Sequence, residues 1–501
     1  MKQNSFLYFT IALLLGGSLF LSSCSDDTPN SPDKEGTKRV TTDEQYYANQ
    51  FARSVMEYNY VWNEEIASDL AKLDPNMNVK PIETVREIRY HQGDKEIDKW
   101  TKLYPNIQKF EDSSAGISTT YGYQPITYVL DEGKDDCFSA IAFVFPNSPA
   151  ERAGLKRGDL IYKINGKKLT TKNFKGLFDS STVTISLAKL KGSVIEPTGK
   201  EVTMNAVEMY ENPILLDSIY EVNGKKVGYL AYTNFDLVSI PSLIDISKKF
   251  KAEGVKELIL DFRYNGGGYV ITENVMASLY APQSVVDAKA LFEKEKYNKR
   301  ITREFEKEGI STKSFLNTEF VFKDQNNKKF FYSTKDANIG IEKVYGLVTK
   351  NTASASEALL GGLMPFYDVD IIGEQTHGKY CTGWSISAKD VYKKVPKSIA
   401  DYGIYLMVAI YQNSKGETPC MPDGIQPDFK VSDSPVLPEQ LGDVNERMLK
   451  AALMRAGKVY DESEVESRSS FDTKFLEYHT PHKANFGMRI LLPKKMPFSI
   501  E

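Results

Sequence analysis

From Ile219 onward the sequence alternates short apolar runs with segments of helical character, and that alternation restricts the fold more than any other feature. KKVGYLAY, KELILDFR, VYGLVT and VDIIGE have the length and the β-branched or aromatic content of buried strands. Between them lie SLIDISKKFKAEG, the residues after YNGGGYV, and NTASASEALLGGL, each readable as a helix. Strands joined by crossover helices build a parallel layer, so an α/β lobe is expected over residues 211–450.

Two other textures precede that lobe. Residues 42–112 favour helix formers, with Tyr46, Tyr47, Phe51, Val55, Met56, Tyr60 and Trp62 near helical spacing, which predicts a small helical domain whose aromatic stripe is core. Over 113–210 the β-like runs ITYVL and SAIAFVF lead into NSPAERAGLKRGDLIYKINGKKL. There Ser148 caps a short helix, Pro149 takes its first position, Glu151 completes a capping box and Gly154 ends it. The strand LIYKI then closes in an Asn165-Gly166 hairpin turn.

The phrase SPAERAGLKRGDLIYKING resembles PDZ domains, and the resemblance spans roughly residues 115 to 208. In that family a peptide C-terminus adds as a strand beside a helix, its carboxylate held by backbone amides. The resemblance implies a peptide-binding loop at Tyr121, Gly122 and Tyr123, although YGYQP lacks the usual glycine-rich, apolar character. A PDZ fold serving only as a structural lid is the alternative.

The ends of the chain speak of location. Residues 1–24 contain one early lysine, an apolar run from Phe6 to Leu21 and small residues ending at Cys24, the pattern of a secretory signal. The run is short for a bilayer span, which takes about 20 apolar residues. Leu21-Ser22-Ser23-Cys24 resembles a bacterial lipobox, which implies a lipid on Cys24 and an exported, membrane-anchored lipoprotein of the cell envelope, periplasmic or surface-exposed. Ser25-Asp26-Asp27 resembles the export tag of some surface lipoproteins. Residues 25–41 are polar and aperiodic and read as a flexible tether. The tail, 451–501, is polar and irregular apart from ILLP, and it is expected to wrap the surface without chemistry.

Lys plus Arg number 63 against 67 for Asp plus Glu, a net charge of -4 that offers no basic field to a nucleic acid. Beyond Cys24 only Cys137, Cys381 and Cys420 remain, too few for a disulfide scaffold and without metal-ligand spacing. Cys381 and Cys420 are the favoured pair should one bridge form; buried free thiols are the other reading.

The chemistry centres on Ser354. Ser354-Ala355-Ser356-Glu357 fits a capping box, and taken alone it reads as a helix cap. Its surroundings shift that balance. A strand, a tight turn and a helix opening at the serine form the unit that presents a nucleophile in unrelated hydrolases, and the Ala355 amide would point at an oxyanion formed on Ser354. One strand later stands Lys379 in QTHGKY, at the same carboxyl edge of the sheet. Of four histidines only His377 is near, and nothing pairs with it recognisably as a triad. A lysine serves as base when apolar surroundings lower its pKa. The glycines after DFRYN, also at that edge, allow a backbone to approach a reacting carbonyl.

DFRYNGGG, TASASEA and GKY, with the PDZ-like module upstream and MPDGIQPD downstream, together resemble the C-terminal processing peptidases, or tail-specific proteases, over about residues 45 to 450. The resemblance implies Ser354 as nucleophile, Lys379 as general base, and amides of Ala355 and of Gly266 or Gly267 as oxyanion hole. It also implies a crotonase-like catalytic lobe, polypeptide substrates selected by their C-terminal ends, and no metal or organic cofactor. Two positions depart from the family. Gly383 stands where a glutamine often orients the lysine, and Pro365 where some members carry an aspartate; His377 is a candidate for the orienting role. The competing expectations are an inactive peptide-binding lipoprotein that keeps the fold, and a crotonase-like enzyme acting on acyl thioesters.

Overall fold

The strand Glu257–Asp261 is buried along its whole length, as a run of Leu, Ile and Leu between two layers must be. In the computed structural model, which describes residues 38–130, 133–191, 194–324, 327–457, 475–482, 486–492 and 499–500, it lies inside a six-stranded sheet. The order is Ile214–Val222, Lys225–Tyr232, Glu257–Asp261, Lys343–Val348, Val369–Gly373, Phe429–Lys430. The first pair is antiparallel and the rest are parallel. Helices Ile240–Ala252, Val270–Tyr280 and Ala355–Leu363 provide the crossovers. The alternation read from the sequence is thus the fold of this lobe.

A second sheet packs beside it, in the order Gly268–Tyr269, Arg489–Ile490, Cys381–Ser387, Gly403–Asn413, Leu291–Tyr297, Lys313–Phe315. The N-terminal region supplies the capped helix Asp43–Asn59, with Thr42 and Gln45 bonding reciprocally. Its stripe residues Phe51, Val55 and Met56 are fully buried, in a core continuous with that of the α/β lobe. Lys102–Tyr104 pairs with Gly403–Asn413, so this region is built into the lobe.

The PDZ module is an antiparallel sheet of Val194–Asn205, Thr182–Lys191, Leu160–Ile164, Cys137–Val144 and Tyr123–Val129. Ser148 caps Pro149–Arg152 through the Glu151 amide, while the Glu151 carboxylate reaches back to the Asn147 amide. Asn165 and Gly166 both have positive φ, as a two-residue hairpin of this type requires.

The tail departs from its expected role. Leu476–His479 adds to the PDZ edge strand, pairing antiparallel with Tyr123–Val129. Arg489–Ile490 is an interior strand of the second sheet, and the Arg489 guanidinium is fully buried against Glu273, Glu293 and Glu295. Polar composition hid this, because the charges are neutralised inside rather than solvated. Cys137, Cys381 and Cys420 are buried free thiols, so the Cys381–Cys420 bridge is absent. Cys24 lies outside the described residues. Among the described residues no helix is long and apolar enough to cross a membrane.

Candidate active site

Three adjacent parallel strands, Glu257–Asp261, Lys343–Val348 and Val369–Gly373, end at one edge, and each is followed by a loop carrying one part of the site. The Ser354 turn is stitched to the glycine loop by hydroxyls and amides. Thr349 Oγ1 donates to the Arg263 carbonyl (2.5 Å) and Thr352 Oγ1 to that of Phe262 (2.8 Å). The Asn265 carbonyl accepts from the Ala353 amide (3.0 Å) and from Ser356 Oγ (3.2 Å).

Ser354 itself sits at φ 67°, ψ −117°, a conformation that costs a residue with a β-carbon about 1–3 kcal/mol and persists only where its surroundings impose it. Glu357 does close back on the Ser354 amide (2.7 Å), but the buried Ser354 hydroxyl has no hydrogen-bond partner among the described residues. The serine therefore does not spend its hydroxyl as a cap. A β-carbon on Gly267, which has φ +105°, would lie 2.7 Å from Ser354 Cβ and 3.1 Å from the Ala355 nitrogen, so glycine is what lets the two loops meet.

Glu357 organises the other side. Its Oε2 accepts from the amides of Ser354 (2.7 Å) and Lys379 (2.9 Å), and its Oε1 from Thr376 Oγ1 (2.5 Å) and the Gly378 amide (2.7 Å). Burial raises its carboxyl to about 7, against the pull of those four donors. The capping-box reading foresaw the first of these bonds and none of the other three.

Lys379 is fully buried, and desolvation lowers its ammonium to about 8, with Cys381 and Asp98 opposing that fall and Arg489 adding to it. Its Nζ lies 4.9 Å from the centre of the Trp100 ring and donates to the Tyr405 hydroxyl at 3.3 Å. Trp100 is held by its amide on Asp98 Oδ1 (2.8 Å), and Asp98 in turn accepts from the Tyr60 hydroxyl (2.7 Å). The N-terminal region thus walls the lysine pocket. The His377 amide donates to the Thr352 carbonyl (2.9 Å), and its ring packs edge-on between Trp100 and Phe486.

Of the expected oxyanion donors, Gly267 already donates its amide to Asn265 Oδ1 (2.9 Å). The amides of Ala355 and Gly266 donate to no described residue. In the PDZ loop the Gly122 amide donates to Thr120 Oγ1 (2.9 Å), and the hydroxyls of Tyr121 and Tyr123 bond the carbonyls of Ser180 and Leu177, bracing the short helix Gly176–Asp179. A cleft open to solvent runs between the module and the loops, with Gln124, Phe143, Tyr264, Gly266, Asn351 and Pro481 on its walls. Among the described residues no group of His, Cys, Asp and Glu side chains is arranged to hold a metal.

The site therefore gathers a strained serine with an unbonded hydroxyl, a desolvated lysine on the neighbouring loop, a free Ala355 amide at a helix start and a PDZ module. Residues 226–431 match the model of peptidase family S41 and residues 143–189 match that of the PDZ domain. It is 26% identical over 319 residues to the carboxyl-terminal-processing protease of Picosynechococcus sp., covering 62% of this chain and 64% of that protein. It is 25% identical over 321 residues to the carboxy-terminal processing protease CtpA of Bacillus subtilis, covering 57% and 61%. The chain therefore spans just under two thirds of the length of these relatives. In fold it resembles the crystal structure of a Bacteroides fragilis protein assigned as an S41 protease, with a TM-score of 0.66, 24% identity, and coverage of 82% of this chain and 98% of that one.

Proposed function

We propose that the protein is an exported serine endopeptidase, anchored through a lipid on Cys24, that cuts polypeptides with Ser354 as nucleophile and Lys379 as base. The observation that carries the reading is the unbonded Ser354 hydroxyl in a positive-φ turn, tied through Glu357 to a fully buried lysine. Neutral Lys379 takes the hydroxyl proton as Ser354 Oγ attacks a peptide carbonyl. The amides of Ala355 and of the glycine loop, Gly266 rather than the already bonded Gly267, stabilise the tetrahedral oxyanion. The lysine then gives its proton to the leaving amine, and water resolves the acyl-enzyme.

The PDZ module docks substrate by strand addition and gates the cleft, because its edge is filled by the chain's own Leu476–His479 until a substrate displaces it. Selection by C-terminal ends would use the loop at Tyr121–Tyr123, whose Gly122 amide is already donated to Thr120 Oγ1.

A second reading, an inactive peptide-binding lipoprotein, is favoured by one observation: Ser354 Oγ and Lys379 Nζ do not hydrogen-bond each other in this state. The separating experiment follows casein fragments by mass spectrometry from about pH 6 to 9 with wild type, Ser354→Ala and Lys379→Ala. Cleavage by wild type alone, with all three folded, supports the peptidase. Silence of the wild type across the range, with peptide binding retained, overturns it.

A further inference from the structure

Lys379 needs more than a lowered pKa. A neutral amine carries one lone pair and two N–H bonds, and it works as a base only when the lone pair faces the hydroxyl. Some acceptor must therefore hold an N–H on the other side. Among the described groups Asp98 is occupied by Tyr60 and by the amides of Trp100 and Thr101. Both Glu357 oxygens are filled by the donors described above. Cys381 Sγ is engaged with Met407 Sδ, and the His377 ring is packed on Trp100 and Phe486.

One acceptor remains. The fully buried Tyr405 hydroxyl accepts from Lys379 Nζ at 3.3 Å and donates its own proton to the Arg489 carbonyl at 3.0 Å. Because that proton is committed, the tyrosine oxygen can only accept from the amine. The Arg489 carbonyl is itself immobile, since its residue is paired in the second sheet and its side chain ion-pairs with Glu273, Glu293 and Glu295.

Residue 383 explains how the tyrosine comes to be there. Gly383 lies on the neighbouring strand, and a β-carbon on it would meet Tyr405 Cζ at 2.4 Å and its hydroxyl at 2.6 Å. The ring fills the volume that any side chain at 383 would need. One of the two positions can reach the lysine, and in this chain it is 405.

We propose that Tyr405 is the positioning residue of the Lys379 base, taking the place next to the amine that Gly383 leaves open and being held there by the Arg489 carbonyl of the tail. This rests on the reading of Lys379 as base. The charged and titratable groups around the amine are Asp98, Glu357, His377, Cys381, Arg489 and Tyr405, so the test isolates the last.

Tyr405→Phe removes only the hydroxyl. On a peptide cut by wild type, kcat falls about tenfold to a hundredfold, a part of what a whole general base contributes. KM holds, and the acid limb of kcat moves to lower pH because the ammonium loses an acceptor. Tyr405→Ala falls further, and adding Gly383→Gln, which offers an amide oxygen in the vacated volume, recovers part of the loss. Wild-type kcat and an unmoved pH profile in Tyr405→Phe overturn the proposal. A readout free of turnover is the Lys379 ¹³Cε resonance, assigned by its absence in Lys379→Met and titrated in wild type and Tyr405→Phe. A lowered midpoint in the variant supports the contact and an unchanged one overturns it, even if wild type proves silent and the base reading itself fails.

Discussion

The backbone amides of Ser354 and Lys379 donate to the same oxygen of Glu357, at 2.7 and 2.9 Å. Two loops that leave adjacent strands, 25 residues apart in sequence, are thereby fixed to one atom. The relative placement of Ser354 and Lys379 is thus set by a third side chain.

Glu357→Gln tests that arrangement. Four donors converge on the carboxylate, and an amide would turn N–H groups toward two of them. Leaving buried donors unmatched costs about 1–3 kcal/mol. The variant is expected to lose about that much unfolding free energy in denaturant melts and most of its kcat, with substrate binding by the PDZ module unchanged.

The pH profile follows from the two buried groups. Lys379 is a base only when neutral, so kcat/KM is expected to rise through about pH 8. Glu357, at about 7, gains a proton below that point and loses acceptor capacity for the two amides. Initial rates on one peptide should therefore fall with one proton between pH 8 and 7 and more steeply below. A flat profile from pH 6 to 9 would sink both assignments.

Lys379→Met should make the protein dead and more stable. Burial lowers the lysine from 10.5 to about 8, and charging it in the folded state at pH 7 costs about 3 kcal/mol relative to the unfolded chain. The sign follows from proton counts: between about pH 8 and 10.5 the unfolded chain holds a proton that the folded one lacks, so wild-type stability rises across that window. The methionine variant should lack the rise, and urea melts at pH 7 and 10 measure it.

Legibility varied with the distance over which each residue finds its partner. The βαβ alternation, the Ser148 cap, the Asn165-Gly166 turn and the Ser354–Glu357 bond depend on neighbours in sequence and could be read there. Trp100 and Tyr405 around the lysine come from a different region and a different strand, and no local pattern marks them. The tail departs from its sequence pattern for a physical reason: Arg489 looks solvated in a polar sequence, and the convergence of Glu273, Glu293 and Glu295 buries it. A lone arginine before ILL was the one available signal.

The tail strand predicts how the PDZ groove opens. His479 packs against Phe174 and Phe178, and Tyr478 edge-on against Phe174. Tyr478→Ala/His479→Ala removes those contacts while leaving Arg489 in place. The double variant is expected to bind an added peptide of sequence FLEYHTPH more tightly than wild type does, by fluorescence anisotropy, and to cleave casein faster. Equal affinity in both proteins would mean that the strand does not compete with ligand.

The last prediction concerns the joint between the module and the catalytic lobe. Arg157 of the PDZ module pairs with Asp433 at 2.6 Å, and Arg263, beside the glycine loop, pairs with Asp433 (3.0 Å), Glu446 (2.7 Å) and Asp261 (2.8 Å). Burial works against the Asp433 charge, yet Arg157 and Arg263 outweigh it and hold the carboxyl at about 2. A carboxyl lowered in this way stabilises the fold above about pH 4, and that contribution is lost as pH falls through about 2. Arg157→Met removes one partner from a buried cluster and should cost about 3 kcal/mol at pH 7, the low end for such a break because Arg263 stays. With its carboxyl less lowered, the variant should lose less stability on acid titration than wild type, and that loss should be complete at a higher pH. Because Arg157 also donates to the Tyr264 hydroxyl (2.6 Å) next to Asn265 and Gly266, the same variant should lower kcat. Unchanged kcat with the full stability loss would mean that the joint holds the module without communicating with the site.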